Sequence, residues 1–350
     1  MGVTDYRKSN RRSILLTLGI ALASAVLAIY SISVSKYDLG FTESLGIVWK
    51  NICGVGFESY QDRLKSFLVW DGYVPMAIAG VLVGAILGIG GSVMQTIVRN
   101  PVADSYTTGI SSGALFGVTI FIVMGSGFTG FGYDVGLMLN AFLFSLIPVS
   151  IIVVFSIFKK VTPTVMVLIG IAVMYLFSAM TTLLKYTASE DDIATIYAWS
   201  VGTLGNVGWS SIPYLLLAFI LIFAFMMLVS NRLNVLIAGD NPSRTLGENP
   251  TRIRILCLVV ISLATAIAVC FTGTIGFVGL VCPHIARMLV GSNAKYLVPC
   301  SAAIGGLLLI FSDMVARCLG PTGLSVGVVT ALFGGPLFLF FLLRQRRNSW

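Results

Sequence analysis

Asn231 to Arg254 reads NRLNVLIAGDNPSRTLGENPTRIR, the longest polar interruption in the second half of an otherwise apolar chain. Its arginines (Arg232, Arg244, Arg252, Arg254), its acids (Asp240, Glu248), the helix-breaking Gly247 and the prolines Pro242 and Pro250 bar it from crossing a bilayer. The segment should sit in water as two short helical pieces. A spare solvated loop and a docking platform for a soluble partner both fit this composition.

Outward from that stretch the chain is oily. Of 350 residues 57% are hydrophobic and 10% charged, with a mean hydropathy of +0.96, values that exclude an ordinary soluble domain and fit a polytopic membrane protein. The 37 glycines agree, because membrane helices use small residues for close approach. Six cysteines form no CxxC pair and read as small core residues, with metal binding a remote second reading. The net charge of +8 would suit nucleic acid in a soluble protein, but here it belongs to the positive-inside rule.

Ten apolar spans are expected, six before the central stretch and four after it. The first, Ile14 to Val34, follows Arg7, Lys8, Arg11 and Arg12 and lacks a convincing cleavage site, so it reads as a retained helix. Lys36 to Asp71 reads as an extramembrane loop with a short interfacial helix. Span two, Tyr73 to Ile97, carries Gly80, Gly84 and Gly88 at four-residue steps, and span three, Tyr106 to Met124, repeats the stripe with Gly109, Gly113 and Gly117. The turn Arg99-Asn100-Pro101-Val102-Ala103-Asp104 between them should join antiparallel neighbours. Asp134 to Phe158, Pro163 to Tyr186 and Ile212 to Ser230 form spans four to six. Glu190-Asp191-Asp192 marks a solvated loop, and Ala198 to Trp209 is too broken by glycine for a plain span. Ile255 to Phe271, Ile275 to Val290, Leu297 to Leu319 and Val326 to Leu343 complete the set.

Ten crossings return both termini and the loops after spans two, four, six and eight to one side. Most of the 22 cations gather there, including Lys159, Lys160, Arg344, Arg346 and Arg347, while Lys36, Lys50, Arg63, Lys65, Lys185 and Arg317 fall on the other. The acids lean the opposite way. Both termini and the central stretch are therefore expected in the cytoplasm of a cell whose plasma membrane holds the chain.

Catalytic constellations are missing: there is one histidine, no nucleophile-base-acid set, no Walker A loop and no plausible metal cluster. His284 and Arg287 share a helix face and read first as a polar pair near the end of span eight; Asp313 and Arg317, four apart, read first as a local ion pair.

The residues resemble one family over most of the chain, the FecCD or BtuC-like permease subunits of ABC importers for iron-siderophore complexes, haem and cobalamin. QTIVRNPVAD (Gln95 to Asp104) is similar to that family's Q-x-x-x-R-N-P-L-A-D turn, and GTIGFVGLVCPHIAR (Gly273 to Arg287), with Gly276, Gly279, Pro283, His284 and Arg287, is similar to G-x-I-x-F-V-G-L-x-x-P-H-x-x-R. SDMVAR (Ser312 to Arg317), GVVTALFGGP (Gly327 to Pro336) and Trp199 with Val201 to Leu204 resemble further family signatures. LIAGDNPSRTLG (Leu236 to Gly247) resembles the coupling segment L-x-x-G-E-x-A-x-x-L-G, which gives Leu236, Gly239, Asp240, Arg244, Leu246 and Gly247 the role of meeting an ATPase. The resemblance departs at the far face. Tyr73-Val74-Pro75-Met76 stands where the family commonly has R-L-P-R, and Pro321 to Ser325 lacks the glutamate of P-x-E-L-P, which leaves Arg317, Tyr73 and Trp70, with the loop Glu58 to Lys65, as docking candidates for a binding protein.

What the resemblance implies is an all-α, ten-helix, type II ABC importer permease made of one transmembrane domain over residues 1–350. It would pair with a second copy of itself, two ATPase subunits and an extracytoplasmic substrate-binding protein, amid membrane lipid and with no nucleic acid. The path would be lined by span five, part of Ala198 to Trp209, and spans eight and ten. No cofactor is expected on this chain, ATP and magnesium belonging to the ATPase. The expected cargo is a metal chelate, a ferric siderophore before haem or cobalamin. A rival, an ion-gradient transporter, would want charges in mid-span, and the spans are almost free of them.

Overall fold

The computed structural model describes residues 3–35, 37, 39–125, 132–159, 162–319 and 323–345. Lys36, Lys160, Arg346, Arg347 and Pro321-Thr322, on which parts of the charge and motif readings rest, lie outside the described residues. Those described residues are helical and contain no strand: α1 (Val3–Ser31), α2 (Phe41–Ile52), α3 (Tyr60–Ser66), α4 (Val74–Val98), α5 (Ile110–Met124), α6 (Tyr133–Lys159), α7 (Pro163–Lys185), α8 (Glu190–Ser200), α9 (Ile212–Leu228), α10 (Ser230–Ile237), α11 (Asp240–Thr245), α12 (Pro250–Thr272), α13 (Val278–Val290), α14 (Ala294–Cys318) and α15 (Val326–Gln345). Among the described residues seven helical stretches are long and apolar enough to cross a membrane, and three shorter apolar helices, Ile110–Met124, Val278–Val290 and Val326–Phe341, stand at the other expected positions.

The bundle is assembled around α4. Nearly every residue of this helix is buried, and α14, α13, α9, α12, α10 and α1 all pack against it. Without a hydrophobic driving force between helices, such crowding needs backbones that approach closely. The glycine stripe permits it: a Cβ at Gly84 would overlap the carbonyl oxygen of Gly305, one at Gly88 that of Ser301, and one at Gly80 would press on Ile310 at 3.1 Å, all on α14. Gly91, three residues beyond the stripe, meets Gly279 of α13 in the same way. The second stripe faces α6, where Gly113 would bring a Cβ to 2.5 Å from the Phe144 carbonyl and Gly117 would overlap that of Asn140. Gly109 differs, because it precedes α5 at φ 88°, turning the chain out of a 3-10 turn at Ser105–Thr108.

Three expectations about the loops need correction. The polar segment before span two is helical from Tyr60 and runs into α4 through a π-helical turn, Phe67–Tyr73, giving one rod over Tyr60–Val98. The wider register suits Pro75, which has no N–H to return. Val74 donates to the Val69 carbonyl, and the next carbonyl, that of Trp70, accepts instead from Trp209 Nε1 at 2.8 Å. Next, Glu190-Asp191-Asp192 is the first turn of α8 rather than a loop; Ser189 and Asp192 form a reciprocal capping box there, and three acids suit a helix N-terminus. Finally, α13 begins at Val278, three residues later than the expected Ile275. The preceding strip is held by Tyr106, whose hydroxyl accepts from the Ile275 N–H at 3.2 Å, and ends at Phe277 with φ 68°.

The α4–α14 seam makes a direct prediction. Gly84→Leu should lower stability in detergent by about 1–3 kcal/mol through overpacking, whereas Gly19→Leu on α1, where an added Cβ meets nothing within 4 Å, should stay within about 0.5 kcal/mol. Thermal unfolding of the two variants beside the parent checks this, and equal melting would refute the seam's role.

Candidate coupling site

The central polar stretch forms three linked pieces, α10, α11 and the first turn of α12. On α10, Leu233 and Leu236 are buried in the main core, which fixes that helix to the bundle. Gly239 has φ 118°, a conformation open to glycine, and turns the chain sharply into α11. Inside that corner the buried Ser243 hydroxyl lies 3.0 Å from the Val235 carbonyl and 2.5 Å from that of Gly239. α11 ends in a Schellman motif: Glu248 N–H donates to the Ser243 carbonyl and Gly247 N–H to that of Arg244, both at 3.0 Å, with Gly247 left-handed at φ 81°. Asn249 then caps α12, accepting from Arg252 N–H at 3.1 Å ahead of Pro250.

Asp240, the first residue of α11, is the hub. Arg254 of α12 grips it with two parallel bonds, Nη1 to Oδ2 at 2.8 Å and Nη2 to Oδ1 at 2.6 Å, while its Nε donates to the Ile97 carbonyl of α4 at 2.9 Å. Arg99, left-handed at φ 54° just past the end of α4, pairs with Asp240 Oδ1 and donates from Nε to the Leu236 carbonyl at 3.2 Å. One carboxylate thus binds α4, α11 and α12 together. The guanidinium of Arg254 is only 2% exposed, so its bidentate partner is what makes its burial tolerable. Hydrogen bonding by Arg254 holds the Asp240 carboxyl below the ordinary carboxylate range, helped by the charges of Arg254 and Arg99 against partial desolvation. A further tie joins α10 to α14: Asn234 donates to Asn293 Oδ1 at 3.0 Å and accepts from the Ala294 N–H at 2.7 Å.

The residues named from the sequence divide accordingly. Leu236, Gly239 and Asp240 face inward and build the corner; Arg244, Leu246 and Gly247 are exposed, with Leu246 at 68%. Beside them, at the end of α6, opens a cavity of about 710 Å³ whose lining includes Ser156, Ile157, Arg244, Glu248, Asn249, Arg252 and Ile255. Arg254 was counted in the sequence only as a cation. Its signal was its register, since 254, 257, 258 and 261 form one buried face of α12.

The two long motifs also meet. Gln95 Oε1 accepts from Arg287 Nη2 at 3.2 Å, and Gln95 Nε2 reaches the Leu280 carbonyl at 3.5 Å. His284 Nδ1 lies 3.0 Å from that same carbonyl, its ring between Phe338 and Phe341 of α15. Pro283 is buried inside α13, and Gly276 has open space where a Cβ would stand. Asn100 closes the turn after α4 by accepting from Val102 N–H at 3.0 Å, with Pro101 between them. Among the described residues no cluster of His, Cys, Asp or Glu could hold a metal ion.

At the opposite rim the docking candidates turn inward. Arg317 pairs with Asp313 at 2.7 Å, donates to the carbonyls of Ser31 and Val34 at 3.0 and 3.2 Å, and stacks over the Tyr73 ring at 5.1 Å. Trp70 packs against Trp209, ring centroids 4.9 Å apart. The ion pair read from the spacing of Asp313 and Arg317 is present, and the guanidinium also fastens the end of α1 to α4 and α14.

A helical membrane permease with a structured, solvent-facing corner is the class these features define. The sequence profile of the FecCD transport family matches residues 22–344, and the chain belongs to that family. It is 37% identical to the hemin transport system permease of Yersinia pestis over 79% of this chain and 83% of that one. To the molybdate import system permease of Haemophilus influenzae it is 29% identical over 95% and 96% of the two chains. A solved inward-facing ABC transporter described as of metal-chelate type matches with a TM-score of 0.80 and 28% identity, covering 94% of this chain and 98% of that one.

Removing the hub carboxylate should cost far more than breaking the exposed pair Arg232–Glu248, 3.4 Å apart. Asp240→Ala leaves Arg254 charged and buried and should destabilise by about 3 kcal/mol, against at most about 1 kcal/mol for Glu248→Ala; denaturant unfolding in detergent compares them. Because the folded Asp240 pKa is depressed, its contribution is fully present above the ordinary carboxylate value near 4. It fades as pH falls through the folded value, so the gap between parent and Asp240→Ala should close on acidification. At the other rim, Arg317→Ala should lower the melting temperature, and Arg317→Lys should restore only part, lacking the planar fork.

Proposed function

We propose that this chain is the membrane-spanning subunit of an ATP-driven importer, crossing the bilayer ten times as one domain, with both termini and the α10–α11 corner in the cytoplasm. It works as a homodimer over two ATPase subunits and receives a metal chelate, a ferric siderophore in the first instance, from an extracytoplasmic binding protein. The observation that carries the reading is the Asp240 hub. It fastens an exposed corner bearing Arg244 and Leu246 to the ends of α4 and α12, most firmly to the enclosed Arg254 of α12, so a force applied to the corner is passed to α12 with α4 as its anchor. Support also comes from relatives named for hemin, for cobalamin (Halobacterium salinarum) and for iron(3+)-hydroxamate (Bacillus subtilis) import. The molybdate permease widens the panel of cargoes to be assayed.

Coupling is tested on the exposed side, where substitution spares the fold. In proteoliposomes with the cognate ATPase and binding protein, Arg244→Glu should leave ATP hydrolysis running while uptake falls about ten-fold or more, an interface charge reversal being worth upwards of about 1.4 kcal/mol. Uptake of ferric siderophores, haem, cobalamin and molybdate in the parent identifies the cargo. Uptake that follows an imposed ion gradient and ignores ATP would overturn the proposal.

A further inference from the structure

α2 has three faces, and one of them has no partner within the chain. At about 100° per residue, Ser44, Ile47 and Asn51 share the buried side: Ser44 and Ile47 are enclosed, and Asn51 donates to Ser66 Oγ at 2.9 Å. Glu43 and Lys50, each one turn from Ile47, flank that side, Glu43 paired with Lys65 at 2.5 Å. On the remaining face, turned away from both, Phe41, Leu45, Trp49 and Ile52 form a continuous exposed stripe at helical spacing, with Trp49 at 68% and Ile52 at 63% exposure. Nothing in the core asks for this stripe, since α2 is already fixed by its other side.

We infer that α2 is a membrane-interface helix whose stripe lies in the lipid leaflet at the rim opposite the coupling corner. Continuity with the lipid-facing surface of α1 identifies the occupant. α1 exposes Leu15, Leu18, Leu22, Val26, Ile29 and Tyr30 along its length, and few residues of its apolar window are buried. That surface passes directly into the α2 stripe through the ring contact of Tyr30 and Phe41, centroids 5.9 Å apart. Tyr30 is the penultimate residue of α1, so α2 begins at the level where α1 leaves the apolar layer. Trp at the centre of the stripe, and charges turned half a revolution away from Phe41, are the arrangement of a helix lying in the interface plane. The opposite rim is fixed by α4, whose C-terminal end carries Arg99 and whose N-terminal end meets Arg317 through Tyr73. The inference does not depend on the cargo or on the energy source.

Full-length protein in proteoliposomes provides the test, with the emission of Trp49 read as the difference between parent and Trp49→Phe. Phospholipid carrying a nitroxide near the glycerol level should quench that emission most; a nitroxide at the chain end should remove less, and aqueous iodide little. Leu45→Trp in the Trp49→Phe background moves the reporter one turn along the stripe and should give the same order. Emission quenched by iodide and untouched by either labelled lipid would overturn the inference. So would iodide quenching relieved on adding the binding protein, which would make the stripe a protein-docking surface.

Discussion

The contact between the backbones of α4 and α14 is the constraint from which the rest of the structure follows. At Gly84 and Gly305 each backbone occupies the space in which the other's Cβ would stand. In a bilayer, packing and polar satisfaction hold helices together, so this closeness is what lets one helix be surrounded by seven others among the described residues. It also leaves α4 little freedom to slide or rotate against α14, since any rotation would swing Val83 or Ala85 into a space sized for hydrogen. A central helix held in this way can serve as the reference for whatever moves around it.

Both ends of α4 are built into polar devices, and the two differ in kind. At the Arg99 end, charge is concentrated: a carboxylate, two guanidinium groups and the carbonyls of Ile97 and Leu236 tie the corner to the helix. Charge-assisted, bidentate bonds are directional, so the corner inherits the rigidity of the helix beneath it. At the Tyr73 end, the π turn solves a backbone problem. Pro75 has no N–H to give, the Trp70 carbonyl would lack a partner, and the indole of Trp209 supplies one. The segment after α8 is thereby fastened to the rod, which places the broken backbone around residues 201–208 against the deeply buried α4.

The sequence disclosed what depends on period and composition. Apolar runs located the spans to within a few residues, and the four-residue glycine steps of Gly80, Gly84 and Gly88 announced a flat face, because close approach needs small residues at that spacing whatever the partner. Hidden from it were features set by a partner distant in the chain. Nothing near Arg254 indicates that its guanidinium turns inward to Asp240 and Ile97, although its place in the row with Cys257 and Leu258 was a clue. The spacing of Asp313 and Arg317 announced their ion pair, but not the carbonyls of Ser31 and Val34 that Arg317 also binds, some 280 residues earlier. The π turn was masked by Asp71, which read as the end of a loop, and the acids of α8, solvated as expected, read as loop when they were marking a helix start.

These two rims bear on how a corner so firmly held could transmit motion. Asp240 carries one negative charge between two positive ones, and only Arg254 is fully enclosed; the carboxylate and Arg99 are about a third exposed. The inner bond therefore has no competing water and the outer one does, so the pair Arg99–Asp240 is the weaker half of the clasp. Displacing the corner would loosen it from the end of α4 before it parted from α12. The geometry thus favours motion in which α10, α11 and α12 travel together as a lever, with α4, locked to α14 by glycine, as the fixed member against which they turn.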